Sequence, residues 1–274
     1  MQFAIKKLQL CVHNNLNNET KFQLQIKMQE ENINLILLSE TDSTNNYANR
    51  LIIEGKAVNG SVVLSHYQTS GRGQRGNTWE SAPGKNLLAS IVLFPAFLPP
   101  GKQFYLSKIT SLALVDLLRV HNQRVTVKWP NDIFVNNKKI AGILIETSIL
   151  GNEFHSAVAG IGLNLNQEKF SAELPNPVSL KLITGKDYEI KETALQLREI
   201  FMKWYQKLEA GHIGEIDEFY HKNLFRINEW AVFQKENNRF EARILGTGEF
   251  GQLILEDRSG KQSLYMFKEI EFVF

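Results

Sequence analysis

The stretch Thr69-Ser-Gly-Arg-Gly-Gln-Arg-Gly-Asn-Thr-Trp79 decides how the rest of the chain is interpreted, and we call it the glycine loop. Arg72 and Arg75 lie between glycines at positions 71, 73 and 76. Glycine permits positive φ and close backbone approach, so such a loop can turn several N–H groups toward one anion. Guanidinium groups add planar donors that suit phosphate or carboxylate. The loop therefore predicts an anion-binding site, with a nucleotide phosphate as the first candidate.

The same spacing fits the Gly-x-Gly-x-x-Gly pattern of dinucleotide-binding folds. That pattern needs a preceding strand, a following helix and an acidic residue about 20 positions further on. Residues 61–67 predict the strand, but residues 79–84 are typical of a turn, and residues 96–100 contain no acid. The loop also lacks the Gly-Lys-Ser/Thr ending of a P-loop. The sequence excludes both classes.

Composition narrows the class of protein. The 274 residues fit one large domain, alone or with a small appendage, and 43% of them are hydrophobic. The formal charge of +2 is too small to indicate a nucleic-acid or membrane partner. A single cysteine, Cys11, excludes an internal disulfide, and no apolar stretch approaches the roughly 18 residues of a membrane span. With no signal-peptide pattern at the N-terminus, a cytoplasmic protein is predicted.

Three regions differ in pattern. Residues 1–32 are rich in Asn and Gln and are predicted to form a weakly ordered extension, and residues 33–228 are predicted to form the main domain. In this main domain the predicted strands are 33–38, 61–67, 87–94, 125–129, 132–135, 139–147 and 154–166. The predicted helices are 47–54, 104–121, 191–210 and 213–224. Residues 168–186 are predicted to form a loop. Residues 229–274 contain five short strand patterns separated by glycines, which is typical of a small β-barrel.

Three further segments place polar residues at predicted strands or strand ends. They are Lys128-Trp-Pro-Asn-Asp132, Lys138 to Glu146, and Gly160-Ile-Gly-Leu-Asn-Leu-Asn166. Strand ends often hold functional groups, and glycines in a strand let a flat ligand approach. Each segment also has a purely structural explanation: a solvated turn, a lysine that marks a strand end, or a close backbone contact.

Taken together and in this order, the motifs resemble those of the biotin–protein ligases. The matching segments are Ser43-Thr-Asn45, the glycine loop, Lys128 to Asp132, Lys139 to Leu144 and Gly160 to Asn164. The likeness runs from about residue 33 to the end of the sequence. It implies an α+β fold in which helices pack on a mixed, largely antiparallel sheet, as in the biotin/lipoate ligase catalytic domain. It also implies a small C-terminal SH3-like β-barrel.

The resemblance implies a two-step ligation with biotin as substrate and ATP, with Mg²⁺, as cosubstrate. Biotin and ATP give biotinyl-5′-adenylate and pyrophosphate. A lysine of a biotin carboxyl carrier protein domain, typically on an acyl-CoA carboxylase, then takes the biotinyl group. Attack of one anion on another needs cations that relieve repulsion and hold the geometry, which suits an arginine- and lysine-lined site. By the same analogy, the carrier docks by strand addition at a sheet edge.

Residue roles also follow from the resemblance. The catalytic residues would be Arg72, Lys139 and Asp132. Residues that would bind biotin are Ser43, Thr44, Asn45, Gln68, Gly71, Arg72, Gly73, Gln74, Lys139, Gly142 and Gly160. Residues that would bind the nucleotide are Arg72, Gln74, Arg75, Trp79, Lys128, Asn131 and Asn164. No metal ligands are expected from the protein beyond what ATP brings, because the six histidines lack ligand-like spacing.

Two positions depart from the family pattern. Many members continue Gly-Arg-Gly with a second arginine, where this chain has Gln74, and Asn77 stands where a third basic residue is common. A neutral amide removes one charge near the adenylate. We therefore expect this protein to release adenylate faster than members with arginine there.

The sequence alone leaves three alternative functions to be weighed. A lipoate–protein ligase or octanoyltransferase would share the fold, although the arginines of the loop and Lys128 to Asp132 favour biotin. A ligase that also represses transcription would need about 60 or more residues of helix-turn-helix pattern before the main domain, where about 32 are present. A non-catalytic biotin-binding module would be expected to lack Arg72 or Lys139, and both are present. The sequence leaves open whether the chain forms a homodimer.

Overall fold

A seven-stranded sheet with the strand order β1-β2-β3-β7-β6-β5-β4 organises the main part of the chain. The computed structural model describes residues 34–122 and 124–273, and for Arg75 only the backbone. The strands are β1 (Leu35–Leu38), β2 (Val62–Ser65), β3 (Leu87–Leu93), β4 (Val125–Lys128), β5 (Asp132–Val135), β6 (Lys138–Leu150) and β7 (Glu153–Leu163). Neighbours from β2 to β4 along this order are antiparallel. The predicted antiparallel-dominated sheet is confirmed.

Five α-helices accompany this sheet within the described residues. They are α1 (Thr44–Ile53), α2 (Phe104–Arg119), α3 (Leu180–Thr184), α4 (Ile190–Glu209) and α5 (Ile213–Lys222). Most residues of α2 are buried, because it lies among α4, α5 and the sheet. Its one buried lysine, Lys108, is 3% exposed and has Nζ 2.6 Å from Oδ1 of Asp217 in α5. A buried ammonium is tolerated when it is paired in this way. None of the described helices has the length and apolar character of a membrane span.

The prediction of a loop at 168–186 is wrong over α3. Ser179 caps this helix by accepting the N–H of Leu182 at 3.2 Å, and Gly185 ends it with φ of 72°. A serine before and a glycine after a segment are helix boundary signals. The helix was missed because five residues are too few for a helical apolar period to be recognised.

The turn between β5 and β6 brings two predicted site residues together. Asn136 and Asn137 have φ of 50° and 64°, as a tight two-residue hairpin turn requires. Lys139 then pairs with Phe134 across the hairpin, and the register shifts between Phe134 and Ile133. This irregularity lies between Lys139 and Asp132, which face the same cavity.

A second, five-stranded sheet contains the C-terminal residues. Its order is β11-β10-β9-β8-β12. The strands are β8 (Trp230–Lys235), β9 (Asn238–Thr247), β10 (Leu253–Asp257), β11 (Gln262–Tyr265) and β12 (Glu271–Phe272). The five predicted strands are therefore present, and Ile36–Phe274 form one compact unit. The predicted boundary at residue 229 stays a prediction, and the predicted extension 1–32 lies outside the described residues.

Candidate active site

A cavity of about 300 Å³ lies between the glycine loop, the ends of β4 and β5, and the C-terminal sheet. Most of the predicted site residues line it. They are Ser43, Thr44, Asn45, Gln68, Arg72, Gly73, Gln74, Trp79, Lys128, Asn131, Asp132, Lys139, Gly142 and Gly160. Segments that are far apart in sequence thus meet at one place in the fold.

Asn164 does not line this cavity, which corrects its predicted place in the pocket. The strand β7 ends at Leu163 rather than continuing to Asn166, so the two asparagines do not project from a strand face. Asn164 is buried and donates through Nδ2 to the carbonyl of Val178 at 3.0 Å. Asn166 donates in the same way to the carbonyl of Tyr188 at 2.8 Å. Both amides hold chain segments beyond the sheet.

The glycine loop folds back on itself as a short hairpin. Trp79 donates its N–H to the carbonyl of Gly71 at 2.9 Å, and Gly73 donates to Asn77 at 2.7 Å. A Cβ at Gly71 would lie 2.4 Å from the Trp79 carbonyl oxygen, so only glycine fits there. Gly71 therefore shapes the loop without lining the cavity.

The indole of Trp79 lies over a pair of glycines on the sheet. Gly142 of β6 and Gly162 of β7 are register partners. A Cβ would meet the indole at 2.9 Å from Gly142 and at 2.3 Å from Gly162. The missing side chains thus create the slot that the indole fills. Within residues 34–122 and 124–273, the buried Nε1 of Trp79 has no hydrogen-bond partner.

A hydrogen-bonded cluster joins the start of α1 to the sheet. Gln68 Oε1 accepts the backbone N–H of Thr44 at 2.7 Å and lies 3.0 Å from its hydroxyl. Ser90 Oγ lies 2.7 Å from Thr44 Oγ1 and 2.6 Å from Asn45 Oδ1. Gly160 leaves the space for this cluster, because a Cβ there would lie 2.4 Å from Asn45 Oδ1.

Glu146 belongs to the same site, although the sequence did not single out its role. Its Oε2 accepts from Asn45 Nδ2 at 2.8 Å and from Arg72 Nη2 at 2.7 Å. The signal was its position on β6, where Gly142, Leu144 and Glu146 alternate onto one face of the sheet.

Two lysines approach the cavity from the β4–β6 side. Lys139 Nζ lies 2.7 Å from Asp132 Oδ1 and 5.7 Å from the centre of the Trp79 ring. Lys128 Nζ lies 5.2 Å from the ring centre of Phe272. Burial lowers the pKa of Lys128 below its ordinary value, with further lowering from Lys139, whereas Asp132 raises it. The site therefore places the ammonium groups of Lys128 and Lys139 on the side of the cavity where Asp132 lies.

The C-terminal sheet supplies one wall of the cavity, which sequence reasoning missed. The contributing residues are Phe267, Ile270, Glu271 and Phe272. Trp129, at the end of β4, donates through Nε1 to the carbonyl of Gly251 at 2.8 Å and packs edge-on against Phe267. No local sequence pattern in residues 267–272 predicts this long-range contact.

Comparison with known proteins points to one family. Residues 37–164 match the family model described as the biotin/lipoate A/B protein ligase family. The biotin–[acetyl-CoA-carboxylase] ligase of Paracoccus denitrificans is 31% identical over 236 residues, which cover 82% of this chain and 95% of the relative. The bifunctional ligase/repressor BirA of Bacillus subtilis is 27% identical over 252 residues, which cover 90% of this chain and 77% of the relative.

Comparison with solved structures points to the same family. The structure of the biotin protein ligase from Aquifex aeolicus in complex with biotin and ATP superposes with a TM-score of 0.73 at 26% identity. The match covers 88% of this chain and 98% of that one. These similarities, together with a cavity lined by the motif residues, establish that the chain belongs to the biotin protein ligase family.

Proposed function

We propose that this protein ligates biotin to a lysine of a biotin carboxyl carrier protein domain, at the expense of ATP. The observation that carries the proposal is the single cavity in which Arg72, Lys139 and Asp132 meet beside Trp79 and its paired glycines. Such a site can hold a flat apolar ring system on the sheet and two anionic groups at its cationic side. The names of the relatives and of the Aquifex structure, which contains biotin and ATP, support the same assignment.

In the first step, a carboxylate oxygen of biotin attacks the α-phosphorus of ATP. The new P–O bond forms as the bond from the α-phosphorus to the bridging oxygen breaks, and pyrophosphate leaves with that oxygen. Arg72 and Lys139 are positioned to reduce the repulsion between the two anions and to hold them in line. Gln74, Lys128 and the backbone of the glycine loop complete the nucleotide side.

In the second step, the amine nitrogen of the acceptor lysine attacks the acyl carbon of the adenylate. A C–N bond forms, the bond from the acyl carbon to the phosphate oxygen breaks, AMP leaves with that oxygen, and the amine passes its proton to a carboxylate. Asp132 is the carboxylate we assign to this role, because it lies in the cavity wall next to Lys139. Its carboxylate both orients Lys139 and attracts the incoming ammonium.

Mg²⁺ enters this scheme with ATP, as part of the cosubstrate. The cavity wall contains two carboxylates, of Asp132 and Glu271, and carboxylate oxygens are ligands that Mg²⁺ prefers. Because Lys139 engages the Asp132 carboxylate, Glu271 is the residue that would hold a hydrated Mg²⁺–nucleotide, contrary to the expectation that the protein supplies no metal ligand. When bound, the ion neutralises phosphate charge.

The proposal also covers the C-terminal sheet, the docking of partners and the cellular location. The C-terminal sheet is an SH3-like barrel in this proposal, supported by four consecutive antiparallel strands and a fifth that returns beside the first. Among the strands that the structure describes, β1 lies at an edge of the large sheet and offers the carrier a place for strand addition, or a second copy a place to form a homodimer. The net charge of +2 supports a cytoplasmic enzyme without a nucleic-acid or membrane partner.

Pyrophosphate release from ATP, with biotin, lipoate and octanoate offered separately, tests the proposal. We expect release with biotin alone, and its loss in Arg72→Ala and Lys139→Ala. Release with lipoate instead would make the chain a lipoate–protein ligase of the same fold. Absence of release with every acid, in a folded protein that binds biotin, would indicate a binding module and contradict the assignment.

A further inference from the structure

The position of Arg72 is tied to one carboxylate. Arg72 is 39% exposed in its side chain and sits on a loop whose own backbone bonds do not fix a side-chain direction. Glu146, on the rigid strand β6, holds Nη2 of Arg72 at 2.7 Å. An ion pair to a regular strand can therefore give the partly exposed arginine side chain a defined direction.

The same carboxylate oxygen also fixes the amide of Asn45. The Nδ2 group donates to Glu146 at 2.8 Å and to the carbonyl of Leu144 at 3.3 Å, whereas Oδ1 accepts from Ser90. With two acceptors on one side and a hydroxyl on the other, only one orientation of the amide satisfies every group. Glu146 thus joins the predicted biotin-contacting residues to the predicted anion clamp.

The number of hydroxyl protons available on Ser90 and Thr44 determines how this network extends to Gln68. The Ser90 hydroxyl has one proton, which Asn45 Oδ1 takes at the shorter distance. The Thr44 hydroxyl then donates either to Ser90 or to Gln68 Oε1. With the Thr44 backbone N–H on Gln68 Oε1 and the Thr44 hydroxyl donating to Ser90, a continuous chain of hydrogen bonds runs from Gln68 through Thr44, Ser90 and Asn45 to Glu146 and Arg72.

We propose that Glu146 is a positioning residue for adenylate formation, which orients Arg72 toward the reacting carboxylate and α-phosphate. This inference rests on the proposed function. Glu146 acts through Arg72 and need not contact a substrate. The guanidinium has five N–H donors, so it can keep Glu146 on one of them and present others to the anions. Displacing such a group by about 1 Å can cost about 100-fold in rate.

A double-mutant cycle on the full-length protein distinguishes positioning from general support of the fold. Single-turnover pyrophosphate release is measured at saturating biotin and ATP for wild type, Glu146→Ala, Arg72→Ala and the double variant. We expect Glu146→Ala to lower the rate about 100-fold in the wild-type background, and by less than about threefold once Arg72 is absent. Glu146→Gln should lose less, because its amide oxygen still accepts from both donors. Glu153→Ala, at the hairpin end of β7, is the matched control and should match wild type.

Each outcome bears on the inference. Equal losses from Glu146→Ala in both backgrounds would mean that Glu146 does not act through Arg72, and would overturn it. An unchanged rate in folded Glu146→Ala would overturn it as well. If Glu146→Ala fails to fold, the same cycle with Glu146→Gln decides. Wild-type protein that releases no pyrophosphate with biotin would instead refute the proposed function itself.

Discussion

Gly142 and Gly162 stand opposite each other on β6 and β7, and the Trp79 indole covers the pair. Two facing positions without side chains form a shallow trough across the strands, which an aromatic ring or a ligand of similar thickness can occupy. The glycines that looked like a backbone feature in the sequence therefore line the cavity and seat the indole.

Alanine at position 162 should displace the indole. The added Cβ would lie 2.3 Å from the Trp79 ring, well inside contact distance, so the ring must leave the trough. We expect Gly162→Ala to lower the rate of biotin-dependent pyrophosphate release about 100-fold. Gly214→Ala is the control, because nothing lies within 4 Å of its Cβ and it sits in α5. A Gly162→Ala protein with normal activity would mean that the trough is not used.

Position 74 should control how long the intermediate stays bound. Gln74 lines the cavity, and its buried Oε1 has no hydrogen-bond partner among the described residues. Arginine there would add a cation near the adenylate, so we expect Gln74→Arg to slow adenylate release about two- to fivefold. The measurement is loss of labelled biotinyl-5′-adenylate during a chase with unlabelled biotin. Gln262→Arg, on β11, adds the same charge elsewhere; equal release from both variants and wild type would refute the idea.

Removal of the charge of Asp132 should impair Lys139. The two are 2.7 Å apart with little exposure of Asp132, so Asp132→Asn leaves the ammonium without its counterion. We expect about a tenfold lower rate of pyrophosphate release, because Lys139 is less well oriented. Asp187→Asn breaks a comparable lysine–aspartate pair on the surface, where Asp187 is 74% exposed, and should have no measurable effect. Equal activity of Asp132→Asn and wild type would remove Asp132 from the site.

The attachment of the C-terminal sheet should weaken in acid. His221 Nε2 accepts the backbone N–H of Thr247 at 3.1 Å, which requires an unprotonated nitrogen. Burial lowers the pKa of His221, as does Lys108, whereas Asp217 raises it. The unfolded chain takes up the proton near pH 6.5, but the folded chain resists it. The free energy of unfolding should therefore fall as the pH drops below about 6.5.

His221→Gln provides the measurement for this effect. Its amide oxygen can accept the same N–H without titrating, so the difference in unfolding free energy between wild type and variant isolates His221 from other titrating groups. We expect the wild type to lose about 1 kcal/mol more than the variant between pH 7.5 and 5.5, the size of one hydrogen bond. Parallel pH profiles of the two proteins would show that His221 carries no pH dependence.

The sequence predicted which side chains line the cavity where a polar side chain stands beside a local backbone signal. Arg72 lies between glycines, Asp132 follows a proline, and Lys139 follows the Asn136-Asn137 turn. These signals mark loops and strand ends, where a fold commonly places its functional groups.

What the sequence did not predict depends on contacts between distant segments. Glu146 looks like an ordinary strand residue until Arg72 and Asn45 are brought to it, and Phe272 joins the cavity only through the second sheet. The misplacement of Asn164 arose from a strand that ends earlier than its apolar pattern suggests. Strand ends are set by the partner strand as well as by local propensity.

The wall built by residues 267–272 has a consequence for the timing of activity during synthesis. A nascent chain whose first 228 residues have left the ribosome already contains the glycine loop, Asp132 and Lys139, yet it lacks Phe267 and Phe272. Its substrate cavity is open on one side, where water can reach a reactive acyl phosphate. Competence for ligation therefore arises only once residues 267–272 have also been translated, after the motifs of the main domain are already in place.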